Sequence, residues 1–240
     1  MYVWKLWRDS RSRWVICTTL GLTWLGMTLY LATGFKHIAP APTGPGFARF
    51  VANLYGPVVF MAILTALLLS EASLGMDFAK NTAEALLTRP RPRRYFAWTG
   101  WLFGMAQILA LMYLMVGCFL AVLAGLAGTG PNWRLLTMPI LLLPAVGMLF
   151  GVGYLVGVLG NGKYGAVAGL GVIVAYYSGV TLVMGHWNIH YPPRWWFDAL
   201  SSWARPGSPG AFPILPLLGW MLVALLFPLL AQWSLERKQI

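Results

Sequence analysis

Ala97-Trp-Thr-Gly-Trp-Leu-Phe-Gly-Met-Ala-Gln-Ile-Leu-Ala-Leu-Met-Tyr-Leu-Met-Val-Gly-Cys-Phe-Leu-Ala-Val-Leu-Ala-Gly-Leu-Ala127 carries no charged residue. A membrane crossing takes about 20 apolar residues, so this run is longer than one crossing needs. It fits a helix that tilts, or one that begins in the headgroup layer at Trp98 and Trp101. Similar runs lie on either side. They are Trp14–Phe35 and Phe50–Leu74 before it, then Leu136–Leu159, Tyr164–Met184 and Phe212–Trp233 after it. The pattern predicts an all-α integral membrane protein: six transmembrane helices in one domain over 14–240, preceded by an interfacial helix over 1–13.

The composition agrees. Hydrophobic residues are 59% of the 240 and charged residues only 10%. Soluble domains run near 45–50% apolar and about 25% charged. The acids are Asp9, Glu71, Asp77, Glu84, Asp198 and Glu236. Such a chain cannot cover its surface with charge, and lipid is the solvent that suits it. A disordered chain, a disulfide scaffold and an ordinary cytosolic enzyme are excluded.

The net charge of +11 is not that of a nucleic-acid binder, because the basic residues sit between the apolar runs. With six crossings, twelve of the 17 Lys and Arg fall on the side of the termini and five on the other. Basic loops stay cytoplasmic. Both termini are therefore expected in the cytoplasm, with the chain in the cell membrane. Cys17 and Cys118 both lie in apolar runs and form no metal or disulfide framework.

Small residues recur at packing spacing as Gly147/Gly151, Gly153/Gly157 and Gly165/Gly169. Such pairs let helix backbones approach, and the fourth and fifth runs are expected to pack closely. In the first thirteen residues Val3, Leu6 and Trp7 share one helical face, with Lys5, Arg8, Asp9 and Ser12 elsewhere. That arrangement suits a helix lying along the inner leaflet.

The loop after the second run, from Ser70 to Tyr95, is more than a connector. Over Met76–Thr88 it reads as a short amphipathic helix: Ala79, Ala83, Leu86 and Leu87 form a stripe, with Lys80 and Glu84 as an i, i+4 pair opposite. Pro90 and Pro92 stop it. A cytoplasmic helix with one apolar stripe is built to dock a partner.

Leu86-Leu-Thr-Arg-Pro90, with Glu84 just before and Arg93-Arg94-Tyr95 just after, resembles ABC-2 type ABC transporter permeases. That family commonly shows an acidic stretch, a Glu-x-Leu-Leu-like run ending in Ser/Thr-x-Pro, and Arg near the third span. Its usual Gly-Thr pair ahead of the Glu is replaced here by Asn81-Thr82. The resemblance implies a non-catalytic permease subunit, exporting a substrate by alternating access. The loop would be a coupling helix on a separate ABC ATPase, which holds the ATP and Mg; this chain would carry no cofactor. Ala79, Ala83, Glu84, Leu86, Leu87 and Arg89 would make the contact. A second copy or a homologue would complete the pathway.

Glu71, at the end of the second run, is a candidate for gating or for an ion pair with the nearby arginines, Arg93 and Arg94. Gly157-Val-Leu-Gly-Asn-Gly-Lys163 fits the start of a P-loop but lacks the following Ser or Thr and a preceding strand, so it reads as a tight turn. His186 and His190 are four apart with no third ligand, and Pro193–Trp203 reads as a short amphipathic helix on the outer leaflet. In the permeases short re-entrant helices occupy this place. An intramembrane enzyme lacks the paired carboxylates or metal ligands it would need. A non-transport scaffold or assembly subunit of a larger membrane complex is the alternative to the transporter.

Overall fold

The computed structural model describes residues 2–34, 45–71, 77–78, 80, 91–127, 136–162, 164–165, 167–175, 178, 212 and 214–237. The described residues form helices and turns, with no strand among them. The elements are α1 (Tyr2–Gly34), α2 (Pro45–Glu71), α3 (Arg93–Ala127), α4 (Met138–Leu159), α5 (residues 167–175) and α6 (Ile214–Arg237). Among the described residues, three helices are long and apolar enough to cross a membrane: Arg93–Ala121, Met138–Leu159 and Leu217–Arg237. A shorter apolar helix covers Pro57–Ser70.

Residues 1–13 were expected as a separate interfacial helix. Instead α1 runs unbroken for 33 residues. The sequence contains nothing to break it, since no Pro or Gly occurs before Gly21. At 1.5 Å per residue α1 is about 50 Å long. It stands beside α3 and runs parallel to it. Tyr2 meets Phe96 edge-on at 5.0 Å, Ser10 meets Gln107, and Gly21 lies against Met115. The charged half of α1 therefore lines the first turns of α3.

α3 begins four residues earlier than the apolar pattern suggests, because Pro92 starts a new turn in which the Tyr95 amide bonds the Pro92 carbonyl at 2.9 Å. α2 runs antiparallel to α1, with Leu68 beside Arg13 and Met61 beside Gly21. α4 and α6 run antiparallel to α3, and α5 antiparallel to α4. Thus the start of α1, the end of α2, the start of α3 and the ends of α4 and α6 share one end of the bundle. It carries Lys5, Arg8, Arg11, Arg91, Arg93, Arg94 and Arg237, and is called the basic end below.

α4 sits centrally, and its glycines explain how. A Cβ on Gly151 would lie 2.6–2.8 Å from Phe227 of α6. One on Gly153 would lie 2.5 Å from the Ser70 hydroxyl of α2 and 3.0 Å from the Gly165 carbonyl that precedes α5. The expected close approach of the fourth and fifth runs is present at Gly153. Gly147 and Gly151, however, admit Met105 of α3 and Phe227 of α6. On α3, Gly104 makes room for the Phe150 ring of α4. α4 ends in the expected turn: the Gly162 amide reaches back to the Gly157 carbonyl at 2.7 Å, and Asn161 and Gly162 take left-handed conformations with φ of 51° and 85°. Asn and Gly are the residues that tolerate this region.

Candidate functional site

The described residues gather their polar chemistry at the basic end. α1 is tied there by four polar contacts. Lys5 pairs with Asp77, from the loop after α2, and also with Asp9 at 3.6 Å. Asp77 is buried, with its side chain 3% exposed against 23% for Lys5. The Arg13 guanidinium donates to the Leu68 carbonyl at 2.7 Å. The Trp14 indole donates to the Gln107 carbonyl at 3.0 Å, and the Gln107 amide donates to the Ser10 hydroxyl at 2.9 Å. Phe78, next to Asp77, packs against the core.

Burial pushes the Lys5 ammonium's pKa down, with Lys80 and Arg8 adding to the effect and Asp9 opposing it. Burial also pushes the Tyr2 phenol well up, reinforced by Tyr154, Tyr95 and Asp9. Both shifts have one physical origin: the first turns of α1 are taken out of water as they fold against α3.

The second cluster joins α3 to α6. Arg93 donates to the Leu235 carbonyl at 2.7 Å. A cation among the last carbonyls of a helix is favourable both as a hydrogen bond and against the helix dipole. The Trp98 indole donates to Gln232, whose amide donates to Glu236. Arg237 stacks on Trp233 with 3.8 Å to the ring centroid, and Arg91 on Tyr95 with 4.6 Å. Arg94 is exposed.

Of the residues expected to form an ion pair, Arg93 is thus bonded to α6. Glu71 ends α2 at the same end of the bundle, but its side chain lies outside the described residues. So do the coupling residues Ala79, Ala83, Glu84, Leu86, Leu87 and Arg89, together with His186, His190 and the Pro193–Trp203 segment. Sequence reasoning missed Asp77 and Gln107. Asp77 had a usable signal, as one of only six acids in the chain. Gln107 had another, as a polar side chain inside the longest apolar run. No cluster of metal-ligating side chains occurs among the described residues.

These features define an all-helical protein with membrane-crossing character, whose polar contacts collect at one end of the bundle. No protein-family model matches the chain, and no curated protein matches it.

Proposed function

We propose that the chain is the membrane-spanning subunit of an ABC transporter of the ABC-2 type, crossing the cell membrane six times with both termini in the cytoplasm. The observation that carries this reading is the Lys5–Asp77 pair. It holds Asp77, nine residues before Leu86 in the chain, at the end of the bundle where α1 begins. The excess of arginine at that end supports a cytoplasmic orientation.

In this reading the loop helix docks a separate ABC ATPase through Ala79, Ala83, Glu84, Leu86, Leu87 and Arg89. The partner binds ATP and Mg and performs the hydrolysis. Two permease copies, or one and a homologue, enclose the pathway and rock between inward and outward states. Such coupling requires ATP to favour one state over the other. Export is the proposed direction.

The test is co-purification with the ABC ATPase, followed by ATPase activity in liposomes. Truncating both Leu86 and Leu87 to Ala removes apolar burial on the order of a few kcal/mol from the proposed contact. The double variant should insert normally yet lose the ATPase or lose coupling. Wild-type association and coupling would leave the loop as a connector and remove the main support for the permease.

A further inference from the structure

α1 and α6 turn opposite chemistry away from the bundle. The outer face of α6 is apolar, with Leu218, Leu222, Leu226, Leu229 and Leu230 all exposed. On α1 the exposed residues include Arg8, Arg11, Ser12, Thr19 and Thr23. Counted from Arg8 these fall at i, i+3, i+4, i+11 and i+15, so they lie along one helical face. Val15 and Leu22 sit between them on the same face. Ser10, Cys17 and Gly21, on the opposite side of α1, are buried against the bundle.

Depth gives this polar face its meaning. Ser10 meets Gln107 of α3. Two residues before Gln107, Met105 fills the space at Gly147 of α4, and the same glycine faces Ala224 of α6. Gly147 lies near the middle of α4, which carries no charged residue, and Ala224 lies well before the first charge of α6, Glu236. Arg11, next to Ser10, is therefore level with the middle of two membrane-length helices. At 1.5 Å per residue it stands about 14 Å further along the bundle than Tyr2. Arg11 makes no ion pair among the described residues, and Arg8 reaches Asp9 at 3.8 Å, an acid that Lys5 also approaches. Ionisable groups at membrane depth are costly against acyl chains, so they face a bundle interior, an opposite charge or water. The bundle interior lies behind α1, and no carboxylate stands on the outer face. Water is what remains.

We infer that the outer face of α1 lines a water-filled pathway, and that the cargo passing it carries negative charge. The inference rests on the transporter reading and deepens it. A second copy closes the pathway opposite α1, while the outer face of α6 meets lipid. A two-fold axis brings the same face of each copy to the passage, so Arg8 and Arg11 of both copies surround it. A cleft with low-dielectric walls and one sign of charge concentrates ions of the other sign. The Thr19 and Thr23 hydroxyls carry the hydrated face deeper, past the arginines.

The test is cysteine accessibility in open membrane fragments that hold the full chain, so that reagents reach both sides. Methanethiosulfonates attack the thiolate, which forms in water and not among acyl chains. The probes are the anionic sulfonatoethyl and the cationic trimethylammonioethyl reagents, and peptide mass separates each adduct from Cys17 and Cys118. Ser12→Cys and Thr19→Cys should label. Leu226→Cys, at similar depth on α6, should not. Relative to a free thiol in solution, the anionic reagent should outpace the cationic one by about tenfold at Ser12→Cys. Adding Arg8→Gln and Arg11→Gln should cut that preference to less than about threefold. Arg91→Gln with Arg94→Gln, which removes equal charge from the end of the bundle, should leave it in place. Should the glutamine pair fail to accumulate in the membrane, Arg8→Lys with Arg11→Lys keeps the charge and should keep the preference. Labelling at Ser12→Cys without Thr19→Cys would place the charged half of α1 outside the membrane and overturn the pathway. Equal labelling of Leu226→Cys, or none on α1, would overturn it too. So would disulfide cross-linking of Ser12→Cys to a second copy in place of labelling, which marks a closed interface. Loss of the anion preference in the wild-type arginine background would overturn the charge assigned to the cargo. None of these readouts uses the ATPase. A dry α1 face with Leu86 and Leu87 coupling intact would overturn this inference and leave the permease standing. A wet, anion-attracting face with no ATPase association would support the pathway and remove the transporter class.

Discussion

α4 and α1 are held in the bundle in opposite ways. α4 is held by shape: glycines admit Phe227, Ser70 and Met105 into its surface, and 61% of its apolar window is buried. α1 is held at its charged half by polar groups: Lys5 to Asp77, Arg13 to the Leu68 carbonyl, and Gln107 to Ser10. The difference follows from the solvent. In lipid, apolar surface gains little by leaving acyl chains for another helix, so association needs either close packing or hydrogen bonds. The segment of α1 that carries Lys5, Arg8, Asp9, Arg11 and Arg13 offers the second, and α4, with no charged side chain, offers the first.

The strongest way to break this contrast is to add volume. Gly151→Val places its first side-chain carbon within 2.6–2.8 Å of Phe227 atoms. The α4–α6 contact must open, and such overpacking costs about 3 kcal/mol. Gly219→Val on α6 is the matched control, since a Cβ there meets nothing within 4 Å. It should shift stability by less than about 0.5 kcal/mol. Thermal unfolding in detergent compares the two. Equal shifts would mean that glycine packing does not make α4 central.

The next effect tests the polar side. Asp77→Ala removes a buried partner from Lys5 and leaves it, among the described residues, Asp9 at 3.6 Å. An exposed pair contributes at most about 1 kcal/mol, and breaking a fully buried one costs 3–5 kcal/mol. With one partner buried and the other partly exposed, the loss should be about 2 kcal/mol. It should also loosen the attachment of α1, read as faster disulfide trapping or proteolysis near Lys5. An unchanged α1 would show that the aromatic contact of Tyr2 with Phe96 suffices to hold the segment.

Much of the architecture was legible from hydrophobicity, and the reason is plain. Apolar runs of membrane length leave few alternatives to helix, and Pro92, Gly160 and Gly162 mark boundaries by their chemistry. The lateral order was not legible. Hydropathy marks both α4 and α6 as membrane-length helices, yet one is central and the other peripheral. What separates them is which neighbour each glycine admits, a property of pairs of helices. The continuity of residues 2–13 with the first run was not legible for a related reason: the i, i+4 pair Tyr2 and Leu6 packs in the core with Phe96 of α3, in line with the rest of α1. Of the candidate site, Arg93 was named for gating or an ion pair with Glu71, and its hydrogen bond to the Leu235 carbonyl depends on the α3–α6 approach, which no local pattern encodes.

The smallest expected effect sharpens the contrast within α1 itself. Tyr2 is buried, and its hydroxyl has no hydrogen-bond partner among the described residues. The ring packs on Phe96, so Tyr2 is held by shape while Lys5, Ser10 and Arg13 further along the helix are held by polar bonds. Tyr2→Phe keeps the ring and removes an unsatisfied oxygen. It should be neutral or stabilising by up to about 1 kcal/mol at neutral pH. The pH dependence has a definite sign. Burial raises the phenol above its ordinary value of 10.0, so the folded state holds the proton more tightly than the unfolded one. That contribution is fully present below pH 10 and is lost as pH rises through the folded-state value. The wild type should therefore lose stability above pH 10, and Tyr2→Phe should lose less. Thermal unfolding of both chains at pH 7 and at pH 11 makes the comparison. A loss of more than about 1 kcal/mol for Tyr2→Phe at pH 7 would reveal a bond to the hydroxyl, and polar contacts would then hold α1 from its first turn onward.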